Sequence, residues 1–134
     1  MMINFFAVLV ATIAAYIVGA LWYGPLFGKP WRKLMNVPEG APMTGMMQAM
    51  GGGFIATLIM IAILDQMLAY TGALALGAKV SIAFAGWIWL GFIATTMVNS
   101  VFYEKRPWQL YFINVSHYLV ALVLATYVLA KWPW

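Results

Sequence analysis

Two ionisable side chains, Asp65 and His117, stand inside long apolar stretches of the sequence. A titratable group inside a membrane is costly, so each is a candidate functional residue. His117 titrates near neutral pH and could accept a proton or contact a ligand. Asp65 could form an ion or proton site at the mouth of a pathway. Each also has a structural interpretation: Asp65 as an interfacial carboxylate beside Gln66, and His117 as a hydrogen-bonding group between helices.

Small polar residues near His117 predict a polar layer. Asn114 borders His117, and Thr95 and Asn99 share one face of the preceding apolar stretch. A tight connection joins the two stretches, so residues equally far from it should lie at similar depth. We therefore predict that these four residues meet inside the membrane. The layer would either hold two helices together, at about 0.6 kcal/mol per hydrogen bond, or present His117 to a proton or ligand.

The sequence lacks the residue sets that most enzymes and metal sites use. It has no cysteine and a single histidine, which excludes thiolate chemistry and leaves no usual set of metal ligands. Asp65 and His117 fall toward opposite membrane faces, so no Ser-His-Asp arrangement can be drawn. The glycine run at residues 51–53 lacks the Lys-Ser/Thr of a phosphate-binding loop. We expect a protein without metal or catalytic residues, and favour a non-enzyme.

Two tryptophans lie deeper in the third apolar stretch than a normal aromatic belt. They are Trp87 and Trp89. Core packing or lipid contact is one interpretation of this position. Contact with a flat apolar ligand, such as a quinone or carotenoid, is the other. No cofactor is otherwise predicted.

Four apolar stretches must position all of these residues. They cover about residues 3–23, 46–70, 80–103 and 110–130 of the 134 residues. Each can cross a hydrocarbon core of ~30 Å, which needs ~20 helical residues. Only 7% of the residues are charged, against about 25% in soluble domains. We therefore predict an all-α, polytopic integral membrane protein, with four transmembrane helices in an antiparallel bundle and one transmembrane domain over residues 1–134.

The basic residues predict how the chain crosses the membrane. The first and third connections hold Lys29, Arg32, Lys33, Lys105 and Arg106, and the other side holds Lys79 and Lys131. The positive-inside rule then places residues 24–45 and 104–108 in the cytoplasm and both termini outside. We expect residence in the inner (plasma) membrane, and a first span that is not removed as a signal peptide. No nucleic-acid partner is expected, because these charges lie at membrane edges.

A short basic segment, residues 29–35, follows the first stretch. It holds Lys29, Trp31, Arg32 and Lys33, and Pro30 suits the start of a helical turn. Such a turn would lie at the membrane surface, with Trp31 toward the acyl chains and the cations at anionic headgroups. A simple surface anchor is one interpretation, and lipid sensing or partner docking is the other.

Small residues recur every four positions in the first two stretches. The first stripe is Ala7, Ala11, Ala15 and Gly19, and the second is Gly45, Ala49, Gly53 and Thr57. Such stripes allow two helix backbones to approach closely in lipid. Each could pack within the chain or against another subunit. Together they suggest a homo-oligomer or a place in a larger membrane complex.

Residues 19–31 (GALWYGPLFGKPW) with Leu34-Met35 form a distinctive motif, and residues 89–92, Asn99 and residues 116–119 form weaker ones. These segments resemble a family of small bacterial membrane proteins, the domain of unknown function numbered 1761. The resemblance implies four spans and inner-membrane residence. It implies no activity, cofactor or residue role.

Three functions remain open on the sequence alone. The first is a homo-oligomeric permeation or transport protein for a small solute or ion, favoured by the intramembrane polar groups. The second is a non-catalytic accessory or assembly subunit of a larger membrane complex, favoured by how few polar groups there are. The third is a protein that binds, or acts on, a lipid or quinone.

Overall fold

The structure, a computed structural model, describes residues 4–36 and 46–133. Within these ranges all regular elements are helices. Four are long and apolar enough to cross a membrane: Phe5–Leu26, Gln48–Tyr70, Ala78–Phe102 and Trp108–Lys131, called here the first to fourth spans. The predicted all-α architecture with four membrane-crossing helices is confirmed.

Two spans are not uniform α-helices. The first is α-helical over Phe5–Leu21 and continues as a π-helical turn over Trp22–Leu26, which includes Pro25. The third is α-helical over Ala78–Ile88, π-helical over Trp89–Ala94 and then broken into Thr95–Met97 and Asn99–Phe102. The second and fourth are regular over Met46–Tyr70 and Trp108–Lys131. Each π-helical segment begins at a tryptophan, Trp22 in the first span and Trp89 in the third.

Local sequence explains several helix ends. Asn4 Oδ1 accepts a hydrogen bond of 3.2 Å from the Ala7 amide, which caps the first span. Gly77 precedes the third span with a φ of 104°, a left-handed value that glycine adopts without steric cost. The last turn of the fourth span holds Lys131, whose charge suits the negative end of the helix dipole.

The first and fourth spans form the centre of the bundle. They pack against each other most extensively, the second span packs on the first, and the third packs on the fourth. The spatial order is therefore second, first, fourth, third. Short connections favour contact between sequential helices, but the second and third spans make only sparse contact. The fourth span packs on the first span, which is distant in sequence, as well as on the third.

Small side chains form much of the central interface. Ala7, Ala11 and Ala15 of the first span are buried, as are Ala121 and Ala125 of the fourth. Their size lets the two backbones approach closely, which is the main source of packing energy between helices in lipid. The first predicted stripe thus lies inside the chain.

The second stripe behaves differently. Ala49 and Gly53 are exposed, and Gly45 lies outside the described residues. The second span joins the core through larger side chains nearer its end, namely Ile61, Leu64 and Leu68. Its first half, with the small residues, is therefore left uncovered by the rest of the chain.

A short helix over Gly28–Leu34 follows the first span. Lys29, Arg32 and Lys33 are exposed on it. Arg106 of the third connection lies close by, with Nη1 3.7 Å from Met35 Sδ. The first and third connections therefore lie at the same end of the bundle, which we call the basic face.

Gly28 holds the short helix against the first span. It is buried, and a Cβ atom at this position would lie 2.7 Å from the backbone oxygen of Tyr23. No side chain fits there without movement of the backbone. The Tyr23 ring also packs edge-on against Trp31, with ring centres 5.8 Å apart. The short helix is thus fastened to the end of the first span.

Candidate ligand cavity and intramembrane polar residues

Two hydrogen bonds join the end of the first span to the fourth. The Tyr23 hydroxyl donates to Asn114 Oδ1 over 2.7 Å. The Trp22 indole donates to the backbone oxygen of Ile113 over 2.9 Å. Both bonds lie near the basic face, where the π-helical turn begins. Asn114 is therefore held by the first span and not by the third.

His117 lies one helical turn deeper, between the same two spans. A Cβ atom on Gly19 would lie 3.1 Å from His117 Nε2, so the ring occupies space left free by the glycine. The rings of Tyr23 and Tyr118 flank it, with centres 5.1 and 4.8 Å away. His117 Nδ1 is buried and finds no hydrogen-bond partner in the described part of the chain.

The His117 ring forms part of the wall of a cavity of ≈ 630 Å³ between the first, second and fourth spans. Most of the wall is made of small or apolar side chains. Its residues are Ala15, Tyr16, Gly19, Ala20, Tyr23, Gly24, Ala49, Met50, Gly53, Ala56, Thr57, Met60, His117, Tyr118 and Ala121. An apolar chamber with a few polar groups is the usual form of a small-molecule site.

The cavity is open at the first half of the second span. Ala49, Gly53 and Ala56 line it and are also exposed on the outside of the bundle. Tyr16 of the first span crosses to this helix, where its hydroxyl donates to the Met50 backbone oxygen over 2.8 Å. The opening therefore lies beside a helix that is long and apolar enough to cross a membrane.

The four residues of the predicted polar layer are not brought together. Thr95 and Asn99 are exposed on the third span, and the Thr95 hydroxyl donates to the Gly91 oxygen of its own helix. The prediction of contact between these two and the Asn114–His117 pair is wrong. The fourth span lies between two partners, and it turns Asn114 and His117 toward the first span.

Other groups join the third span to the fourth. The Trp89 indole donates to the Val115 backbone oxygen over 2.7 Å, and the Tyr111 hydroxyl donates to the Ala94 oxygen over 2.7 Å. Aromatic donors and backbone acceptors thus hold the third and fourth spans together, a role that the sequence analysis gave to small polar side chains. The first and third spans bind the fourth span in the same way, each through one indole.

Asp65 is buried in the bundle, with 2% of its surface exposed. Its Oδ1 atom has no hydrogen-bond partner among the described residues, and the neighbouring Leu64 and Leu68 are buried too. The predicted interfacial carboxylate is therefore covered by protein. Tyr16 meets Phe54 on this helix, and Asp65 lies eleven residues further from the basic face, about 16 Å along the axis. It is not part of the cavity.

Trp87 and Trp89 face different sides of the third span. Trp87 is 73% exposed, whereas the Trp89 indole is hydrogen-bonded to the fourth span. One flat ligand cannot stack on both rings. The quinone or carotenoid contact near these residues stays a prediction. Among the described residues there is also no group of three side chains that could hold a metal ion.

Sequence reasoning missed the aromatic residues of the site. Tyr23 is four positions after Gly19, so both lie on one helix face, and Tyr16 is close to that face. This spacing was the available signal. The position of Tyr23 at the end of an apolar stretch is equally typical of an aromatic residue at the membrane interface.

These features define a small polytopic helical membrane protein with an intramembrane cavity beside its central helix pair. The family model described as Protein of unknown function (DUF1761) matches residues 6–130, and the chain belongs to that family. No curated protein matches the chain, and no solved structure does.

Proposed function

We propose that the protein binds a lipophilic small molecule with a hydrogen-bonding head group, of the isoprenoid quinone class, in the cavity beside His117. The observation that carries the proposal is the half-buried imidazole of His117 in the wall of a mostly apolar cavity between three helices that are long and apolar enough to cross a membrane. Pockets for small ligands measure about 300–1,000 Å³, so the volume is suitable.

The polar groups of the cavity favour His117 as the residue that orients the head group. The hydroxyls of Tyr16 and Thr57 already donate to the backbone oxygens of Met50 and Gly53. The Tyr23 hydroxyl donates to Asn114. Among the described residues, the imidazole of His117 and the hydroxyl of Tyr118 are the lining groups that make no such hydrogen bond. A carbonyl or hydroxyl of the ligand would bind to the imidazole, with Tyr118 beside it.

The small residues of the second span favour a flat ligand that enters sideways. Ala49, Gly53 and Ala56 leave room at the opening, and a Cβ atom on Gly53 would meet nothing within 4 Å. A ligand dissolved in the bilayer could therefore enter between the helices without crossing water.

Two adjacent glycines provide a matched test. Both Gly52 and Gly53 are exposed with free space around them, but only Gly53 lines the cavity. The protein in nanodiscs is titrated with decylubiquinone, with tryptophan fluorescence as the signal. Gly53→Leu should weaken binding about tenfold or more, equivalent to about 1.4 kcal/mol. Gly52→Leu should bind as the wild type does.

His117→Phe tests the head group, because it keeps a ring and removes the ring nitrogens. We expect weaker decylubiquinone binding with normal helix content by circular dichroism. Equal affinities for the wild type and both the Gly53→Leu and His117→Phe variants would contradict the proposal, as would a wild-type protein that does not bind the probe.

A homo-oligomeric permeation protein is the second candidate. The observation that favours it is the uncovered small-residue face at Ala49, Gly53 and Ala56, next to the cavity. A helix of a second copy could approach this face closely. The cavity would then be enclosed, with His117 along a path for a small solute or ion.

The oligomeric state and flux separate these functions. Native mass spectrometry after gentle extraction should give a homo-oligomer, and proteoliposomes should show a solute or ion flux that His117→Phe reduces. A monomer without flux would exclude the permeation protein. A stable complex with other proteins would instead support an accessory subunit.

A further inference from the structure

A second cavity of ≈ 370 Å³ lies on the opposite side of the fourth span from Gly19, beside the third span. Its wall is almost wholly apolar and includes Phe27, Trp89, Phe112 and Leu119. It extends from Phe112 to Leu119 along the fourth span, about 10 Å at 1.5 Å per residue. It therefore runs from the basic face toward the middle of the membrane.

A cluster of cations lies where this cavity meets the basic face. Phe27 lines the cavity and directly precedes the short helix Gly28–Leu34, on which Lys29, Arg32 and Lys33 are exposed. This helix is only about 10 Å long, so all three cations lie within about that distance of Phe27 along the helix axis. The contact of Arg106 with Met35 adds a fourth cation at the end of the same helix.

From this juxtaposition we propose that the basic face holds one anionic phospholipid as a specific ligand. One acyl chain fills the cavity lined by Phe27, Trp89 and Leu119, and the phosphate binds at Lys29, Arg32 and Lys33. This site is separate from the cavity beside His117 and does not depend on its function.

The energetics divide between the two parts of the lipid. Transfer of an acyl chain from the bilayer to an apolar cavity gains little, because both surroundings are apolar. The cavity instead fixes where the lipid lies, and the cations provide the preference for negative charge. Basic residues near a membrane surface each contribute attraction to anionic lipid, which salt weakens.

The test compares charge removal at the two ends of the bundle. Native mass spectrometry counts the lipids retained from mixed phosphatidylglycerol and phosphatidylcholine nanodiscs. The wild type should retain one phosphatidylglycerol in preference to phosphatidylcholine. Arg32→Gln with Lys33→Gln should reduce this preference about tenfold. Lys79→Gln with Lys131→Gln removes the same charge from exposed positions at the other end and should leave it unchanged.

Ser116→Phe tests the chain position, because Ser116 lines the cavity and a phenyl ring would fill it. We expect weaker retention of phosphatidylglycerol although every cation remains, because the ring excludes the acyl chain from the position that places the phosphate at the cations. Equal loss of preference in both charge variants would overturn the proposal, since attraction would then be non-specific. Retention of the lipid by a folded Ser116→Phe protein would overturn the placement of its chain.

Discussion

Gly19 and His117 approach so closely that a Cβ atom on Gly19 would lie 3.1 Å from the Nε2 atom of His117. Because Gly19 has no side chain, the His117 ring of the fourth span can lie against the first span at this point. That ring in turn forms part of the wall of the larger cavity. Helix packing and the candidate site are therefore parts of one contact.

Gly19→Ala should displace the His117 ring by a few tenths of an ångström. Overpacking of this kind typically costs about 1–3 kcal/mol, and we expect the low end because a ring can tilt. Reversible unfolding in mixed micelles measures the stability, and decylubiquinone titration measures the cavity. Gly86→Ala is the control: it has free space within 4 Å and should be neutral or slightly stabilising. Identical behaviour of the two variants would refute the close contact.

Loss of the Tyr23–Asn114 hydrogen bond should lower stability modestly. Interhelical hydrogen bonds average about 0.6 kcal/mol and reach about 1.7. A double-mutant cycle with Tyr23→Phe and Asn114→Val should give a coupling energy in this range. Tyr127→Phe, at an exposed phenol, should have no effect. A coupling energy of zero would mean that the bond does not form in the membrane.

Loss of either indole donor to the fourth span should lower stability, whereas loss of the exposed Trp87 indole should not. Trp22→Phe and Trp89→Phe each remove a donor to the fourth span, which should cost about 1 kcal/mol each. Trp87→Phe is the matched control, because Trp87 is largely exposed. If unfolding of all three variants were equally perturbed, ring size and not the hydrogen bond would be the cause.

Gly28→Ala should detach or shift the short helix, because its Cβ would collide with the Tyr23 backbone oxygen. We expect a loss of about 1–3 kcal/mol and reduced retention of phosphatidylglycerol. Gly24→Ala is the control, in the preceding π-helical turn with nothing within 4 Å. Protease accessibility of the first connection reports the detachment, and an unchanged cleavage rate in Gly28→Ala would contradict it.

Hydropathy and spacing were informative for some features of the fold. Four apolar stretches of membrane length could form only membrane-crossing helices, since every backbone polar group in lipid needs a partner within its own segment. A short helical turn around Pro30 and a close-packing face at Ala7, Ala11 and Ala15 were also predicted, although the partner of that face was left open. Each follows from local pattern alone.

The relative positions of the helices could not be predicted from the sequence pattern. Thr95 and Asn99 have the spacing of an inward face, yet they are exposed. In water, apolar residues identify the buried face, but in lipid both faces are apolar and the pattern loses this information. The π-helical turns at Trp22 and Trp89 also shift which residues point inward, and no local pattern predicted them.

The sequence by itself determined that this protein crosses the membrane four times, because the length and composition of a helix in lipid depend only on its own residues. The tertiary structure alone decided that His117 meets Gly19, that Asp65 is buried away from it, and that the second span leaves a cavity open. Those relations depend on which helices are neighbours, which is set by close packing between distant segments.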